Sequence, residues 1–142
     1  MDNISFERVW EDSDFFQIKV TAQSKLICAN TRSYTTEELI NELALHLETF
    51  PKTTNDRYLW ENGAKGDGST PCVILEFFCK NRSGHVGIEV YMEIDDGGAR
   101  SKHNCCFFME AEPGLLNKFG KSLRLLNNRG IGQKASLLER DN

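Results

Sequence analysis

The stretch SKHNCCFFMEAEPG, residues 101–114, sets His103 two residues before Cys105, doubles the cysteine at Cys106 and runs on into two phenylalanines. Imidazole and thiolate are zinc ligands, and a thiolate beside a base is a nucleophile, so the stretch raises two chemistries. Strand periodicity argues against both. His103, Cys105, Phe107, Met109 and Ala111 fall on one face of a strand, and Lys102, Asn104, Cys106, Phe108 and Glu110 on the other. The two adjacent cysteines therefore point apart and cannot chelate one ion. His103 and Cys105 supply only half of a structural zinc set, and Cys72, Cys79 and His85 lack the short paired spacing that would complete it. Cys28, Cys72, Cys79 and Cys105 lie in apolar runs with no base beside them, so core packing is their expected role. No catalytic residue, metal or cofactor is expected.

A second chemical signal, GAKGDGST at residues 63–70, resembles a phosphate cradle. That chemistry needs lysine directly before the serine or threonine and a helix after it. Here Gly68 precedes Ser69, and Pro71 and an apolar strand follow, so a surface loop is expected.

The elements that must position any site follow from hydrophobic period. In DFFQIKVTAQSKLICANTRSY, Phe16, Ile18, Val20 and Ala22 alternate with Phe15, Gln17, Lys19 and Thr21, and a turn at AQSK leads to a second strand near Leu26 to Thr31. In YTTEELINELALHLETFP, Thr35 and Glu38 have capping-box spacing, Leu39, Ile40, Leu43, Ala44, Leu47 and Phe50 recur at helical spacing, and Pro51 ends the pattern. His46 falls on the solvated side. RYLWE reads as a short edge strand. Three strand-like runs follow, CVILEFFC, HVGIEVYMEID and KHNCCFFMEA, joined by turns at KNRSG and DGGARS. Pro113 then starts a helix with Leu115, Phe119, Leu123 and Leu126 on its apolar stripe, and ASLLE makes a last strand. Without the optional edge strand RYLWE, the order is β-β-α-β-β-β-α-β. It predicts one α+β domain over residues 1–142, with an antiparallel sheet of about five to six strands covered on one face by two helices.

Composition bounds the rest. Five cysteines without a paired spacing, no basic start leading into an apolar run, and no stretch of ~18 apolar residues predict reduced thiols, a cytoplasmic location and no membrane partner. A net charge of −4 argues against nucleic-acid binding, which relies on neutralising phosphates, and suits a basic protein partner.

The most informative pattern is charge on the meander. Val86, Ile88, Val90, Met92 and Ile94 form one face of HVGIEVYMEID, and Gly87, Glu89, Tyr91, Glu93 and Asp95 the other. With neighbouring strands in antiparallel register, the uncovered face is expected to carry Glu76, Glu89, Glu93, Asp95 and Glu110 around Tyr91, Phe78 and Phe108. Aromatic anchors in a charged rim suit protein recognition.

The hairpin, the YTTEELINELALHLETF helix, the strand Gly84, Val86, Ile88 and Val90, and the helix pattern Gly114, Leu116, Phe119, Leu123 and Leu126 together resemble small immunity proteins of bacterial contact-dependent inhibition and polymorphic toxin systems. The resemblance spans most of residues 15 to 126 and rests on packing positions. The loop from Lys52 to Pro71 and the HNCC segment have no counterpart in it. It implies a non-enzymatic protein that binds a cognate toxin domain, often a basic nuclease, and blocks it. Glu76, Glu89, Tyr91, Glu93, Asp95, Phe108 and Glu110 are the expected partner-binding residues. The alternatives are a small ligand-binding or enzymatic domain using His85 or His103 under the glycine-rich loop, and a homodimer formed through a sheet edge.

Overall fold

In the first strand, β1 (Asn3–Glu11), Ile4 and Phe6 turn into the core while Ser5 and Glu7 turn away. It pairs antiparallel with β2 (Phe16–Gln23), which pairs with β3 (Cys28–Thr35). The short β8 (Lys134–Ser136) joins the other side of β1, giving a sheet of order β3-β2-β1-β8. The structure is a computed structural model that describes residues 2–67, 70–95 and 103–138. The turn expected at DGGARS lies outside the described residues, as does part of the glycine-rich loop.

The β1–β2 register slips between Arg8 and Trp10. Val9 is the extra residue of a bulge, and Trp10 consequently stands opposite the outward-facing Gln17 rather than following Arg8 inward. Arg8 is buried and held by three neighbours. Its Nε donates to Glu11 at 2.7 Å, Nη1 donates to the Leu126 carbonyl at 2.7 Å, and the guanidinium lies 4.0 Å from the Phe16 ring centre.

The second sheet is a meander of β4 (Arg57–Asn62), β5 (Val73–Cys79), β6 (Val86–Glu93) and β7 (Asn104–Ala111), in that spatial order. Two helices, α1 (Glu37–Leu47) and α2 (Pro113–Leu123), complete the mixed α+β fold. Thr36 caps α1, its hydroxyl accepting from the Leu39 amide at 3.3 Å. Thr35, expected to cap it, is still paired with Phe16 as the last residue of β3.

The helices touch closely because Gly120 has no side chain: a Cβ there would lie 2.8 Å from the Glu48 nitrogen and 3.0 Å from the Ala44 oxygen. Asn117 donates to the Leu47 and Phe50 carbonyls at 2.8 and 3.0 Å, satisfying acceptors that the end of α1 leaves open.

Both sheets and both helices contribute to one connected core. Phe6 links three of these elements, with its ring 5.7 Å from Trp60 of the second sheet and 5.9 Å from Phe119 of α2. Full burial of each such ring contributes about 1.5–3 kcal/mol. The Trp60 indole, itself buried, donates to the Leu39 carbonyl at 2.9 Å.

The expected single sheet of five to six strands is thus corrected to two sheets of four. Two physical causes account for the difference. The inward arginine and the bulge break the alternation of β1, hiding it as a strand. The edge of β3, meanwhile, meets the second sheet through side chains and not through a strand ladder. The Thr70 hydroxyl accepts from the Tyr34 amide at 3.1 Å, Ser33 Oγ donates to the Pro71 carbonyl at 2.6 Å, and Asn62 Nδ2 donates to Ser33 Oγ at 2.8 Å.

Candidate functional site

The residue types along β4–β7 dictate which face of the second sheet is open. Tyr58, Trp60, Leu75, Phe77, Ile88, Val90, Phe107 and Met109 turn inward and are buried. The intervening residues form three rows across the opposite face. Leu59, Glu76, Glu89 and Phe108 make one row; Glu61, Ile74, Tyr91 and Cys106 a second; Arg57, Phe78, Gly87 and Glu110 a third.

Five expected site residues, Glu76, Glu89, Tyr91, Phe108 and Glu110, therefore share this face. Phe108 is the most prominent, at 62% exposure. Phe78 is half buried because its ring lies over Gly87, where an added Cβ would come within 2.4 Å of the ring, and it meets Phe108 edge-on at 6.2 Å. Glycine at position 87 makes room for the aromatic pair.

Two expected residues do not join the face. Glu93 is fully buried: its carboxylate accepts from the Gly66 amide at 2.9 Å and the Cys72 amide at 3.0 Å. Strand parity points it outward, but the backbone at Gly66 and at Cys72 closes over the end of β6 and takes it in. Asp95 lies beyond the end of β6, where its amide donates to the Thr31 hydroxyl at 3.2 Å and ties the strand end to the first sheet.

The face is also less acidic than its carboxylates suggest. Arg57 pairs with Glu76 at 2.8 Å and lies 5.1 Å over the Phe78 ring, and Lys80 pairs with Glu110. Lys65, reaching in from the glycine-rich loop, sits 4.3 Å over the Tyr91 ring centre. These cations come from β4 and from loops whose positions only the folded structure supplies. The outward set Arg57, Leu59 and Glu61 was legible in the alternation of RYLWEN once that strand was granted.

At the centre, Glu76 and Glu89 stand directly opposite one another. Like charges facing across a ladder are destabilising. Arg57 attends Glu76, and the Cys106 thiol donates to Glu89 at 3.4 Å. Glu76, Glu89 and Cys106, together with Glu61, Lys65 and Tyr91, line a shallow concavity of about 430 Å³.

The protonation states there are quiet. Burial raises the Tyr91 hydroxyl pKa, with Glu93 adding to it, and burial also raises the Cys106 thiol, helped by its bond to Glu89. Burial likewise raises Cys105, which packs half buried against the core. All three groups are therefore held toward their protonated, weakly nucleophilic forms.

Neither histidine of the alternative reading joins them. His85 is exposed beside Asn81 at 3.3 Å, and His103 is exposed at the start of β7. Among the described residues, no group of three or more His, Cys, Asp or Glu side chains is placed to hold a metal ion. No helix among them is long and apolar enough to cross a membrane.

Comparison of the chain with models of known protein families, with curated proteins and with solved structures finds no match.

Proposed function

We propose that this protein is a non-enzymatic inhibitor that binds a toxin domain through the outer face of its second sheet, as small bacterial immunity proteins do. The observation that carries the reading is the composition of that face. An exposed Phe108, the adjoining Phe78 and Tyr91, and the opposed pair Glu76 and Glu89 occupy neighbouring rows. An apolar ring in water and two facing carboxylates both cost stability in the free protein, and a partner that covers the ring and supplies positive charge relieves both. Phe108 serves as the anchor, Tyr91 under Lys65 flanks it, Glu76 and Glu89 select a basic counterpart, and Glu110 with Lys80 forms part of the rim. Occlusion of the toxin's working surface then requires no chemistry from the inhibitor.

The experiment is a comparison of tagged wild type with the double variant Glu89→Lys/Phe108→Asp as capture reagents in the source cells. The expected result is one stoichiometric protein held by wild type and lost by the variant. Expression of that protein's toxic domain alone should arrest growth, and co-expression of wild type but not the variant should relieve the arrest. A partner held equally by both proteins refutes the face, and a partner that does not affect growth refutes the inhibitor role.

A further inference from the structure

At one end of the first sheet, Trp10, Phe15 and Tyr34 are each 40% exposed and packed together. Tyr34 meets Trp10 and Phe15 edge-on at 5.7 and 5.3 Å, and Trp10 and Phe15 are 6.1 Å apart. The cluster is built rather than incidental. The bulge at Val9 brings Trp10 to the outer side, and Asp12 Oδ1 accepts from the amides of Asp14 and Phe15 at 2.8 and 2.9 Å, fixing the hairpin that presents Phe15.

Beside the rings opens a groove of about 520 Å³, with Thr35, Leu39 and Asn62 also in its walls. Thr35 and Asn62 are 2% and 0% exposed. The Asn62 amide nitrogen donates to Ser33 Oγ and to the Tyr34 carbonyl at 2.8 and 3.0 Å, which turns its oxygen the other way. Asn62 Oδ1 and Thr35 Oγ1 have no hydrogen-bond partner among the described residues. Polar oxygens left in that state are costly, and both are closed to solvent in the free protein, so a donor in the groove relieves the cost by shifting the groove wall enough to reach them. A neighbouring concavity around Phe15 adds Asp12, Asp14, Glu37 and Glu38. Two arginines also line it, of which Arg8 is committed to Glu11 and the Leu126 carbonyl.

We propose that this groove seats an arginine side chain from a basic segment of a partner protein. Aromatic rings, waiting acceptors and an acidic rim together select a flat, donor-rich cation. A carboxylate would meet like charge, and an apolar group would leave the acceptors unpaired. The guanidinium stacks on rings and offers five N–H donors, whereas the lysine ammonium is a strongly hydrated point charge that fits a ring face less well. The groove takes Asn62 from the end of β4 but none of the outward residues of the second sheet on which the first proposal rests, so the two proposals fail separately.

The test is a titration of isotopically labelled protein with the blocked peptide Gly-Gly-Arg-Gly-Gly and its citrulline and lysine counterparts. Nuclear magnetic resonance follows the Trp10 indole and the Asn62 side-chain amide, with the buried Trp60 indole as reference. The expected result is a saturable shift of both signals with the arginine peptide. Citrulline, which keeps the shape without the charge, should bind at least about tenfold more weakly. Trp10→Leu, which keeps apolar bulk but removes the ring, should abolish the response. The exposed double change Glu37→Gln/Glu38→Gln should weaken it with the fold intact. Equal responses to arginine and citrulline, equal responses to arginine and lysine, or no saturable shift of these signals up to the solubility limit of the peptide would each overturn the proposal.

Discussion

Glu93 shows how far a single residue's environment can depart from its strand's pattern. Its oxygens accept from the backbone amides of Gly66 and Cys72 at the end of β6, and the side chain is fully buried. Glu93→Gln keeps the shape but only one acceptor oxygen, so one of the two bonds is lost, with an NH2 facing a backbone N–H, and the other loses its charge. It should lower unfolding free energy by about 1–3 kcal/mol, measured by denaturant titration, with faster hydrogen exchange at the Gly66 and Cys72 amides. Unchanged stability would mean that the carboxylate does not hold the loop. The same site governs a thiol. Burial and the adjoining Glu93 push Cys72 up to about 12, whereas Cys28 is exposed. Alkylation at mildly alkaline pH, followed by mass spectrometry, should therefore modify Cys28 well before Cys72. Sequence alternation correctly placed Glu89 and Tyr91 on one face. It misplaced Glu93 because parity gives a direction, while burial depends on a loop that arrives from elsewhere in the chain.

Among the elements, the two helices and the β5–β7 meander were legible, because Leu43, Leu47, Phe119 and Val90 keep to regular periods along uninterrupted backbone. The strand β1 was not, since Arg8 faces inward and Val9 adds a residue that sends Trp10 the other way. The aromatic cluster was hidden for the same reason. The contact between the helices makes a paired prediction. Gly120→Ala forces a methyl group against the backbone at Ala44 and Glu48 and should cost about 1–3 kcal/mol despite alanine's better helix propensity. Gly114→Ala, in the first turn of the same helix with nothing within 4 Å of the added carbon, should be neutral or slightly stabilising. Thermal melts of the two variants distinguish close approach from propensity. Charge pairing at this junction sets a pH dependence. Two bonds from Arg124, at 2.7 and 3.0 Å, hold the Glu48 carboxyl below its ordinary value of 4.5. The folded value is the lower one, so this stabilisation is present above the unfolded value and is lost as pH falls through the folded value. Glu48→Gln should therefore narrow the stability difference between neutral and strongly acid solution, read from melting temperatures across that range.

For the whole molecule, net charge was a poor guide to where charge is displayed. The chain's −4 suited a basic partner, and strand alternation put five carboxylates on one sheet face. In the folded protein Arg57 and Lys80 pair with Glu76 and Glu110, Lys65 covers Tyr91, and Glu93 is withdrawn into the interior. What remains on the second sheet is an aromatic and carboxylate surface centred on Phe108 and Glu89, and the acidic concavity of Asp12, Asp14, Glu37 and Glu38 lies beside Phe15 on the first. The α+β class and the inward face of the meander were legible because local periodicity determines them. The division into two sheets was not, because it depends on the edge of β3 meeting the second sheet through side chains and not a ladder. The measurement that bears most directly on the proposed role is the affinity of the captured toxin domain for wild type and for Glu89→Lys/Phe108→Asp, with melting temperatures recorded alongside. Loss of a central aromatic anchor and reversal of a selecting charge should weaken binding by at least about 100-fold without unfolding the protein. Wild-type affinity in a folded double variant would contradict the use of this face.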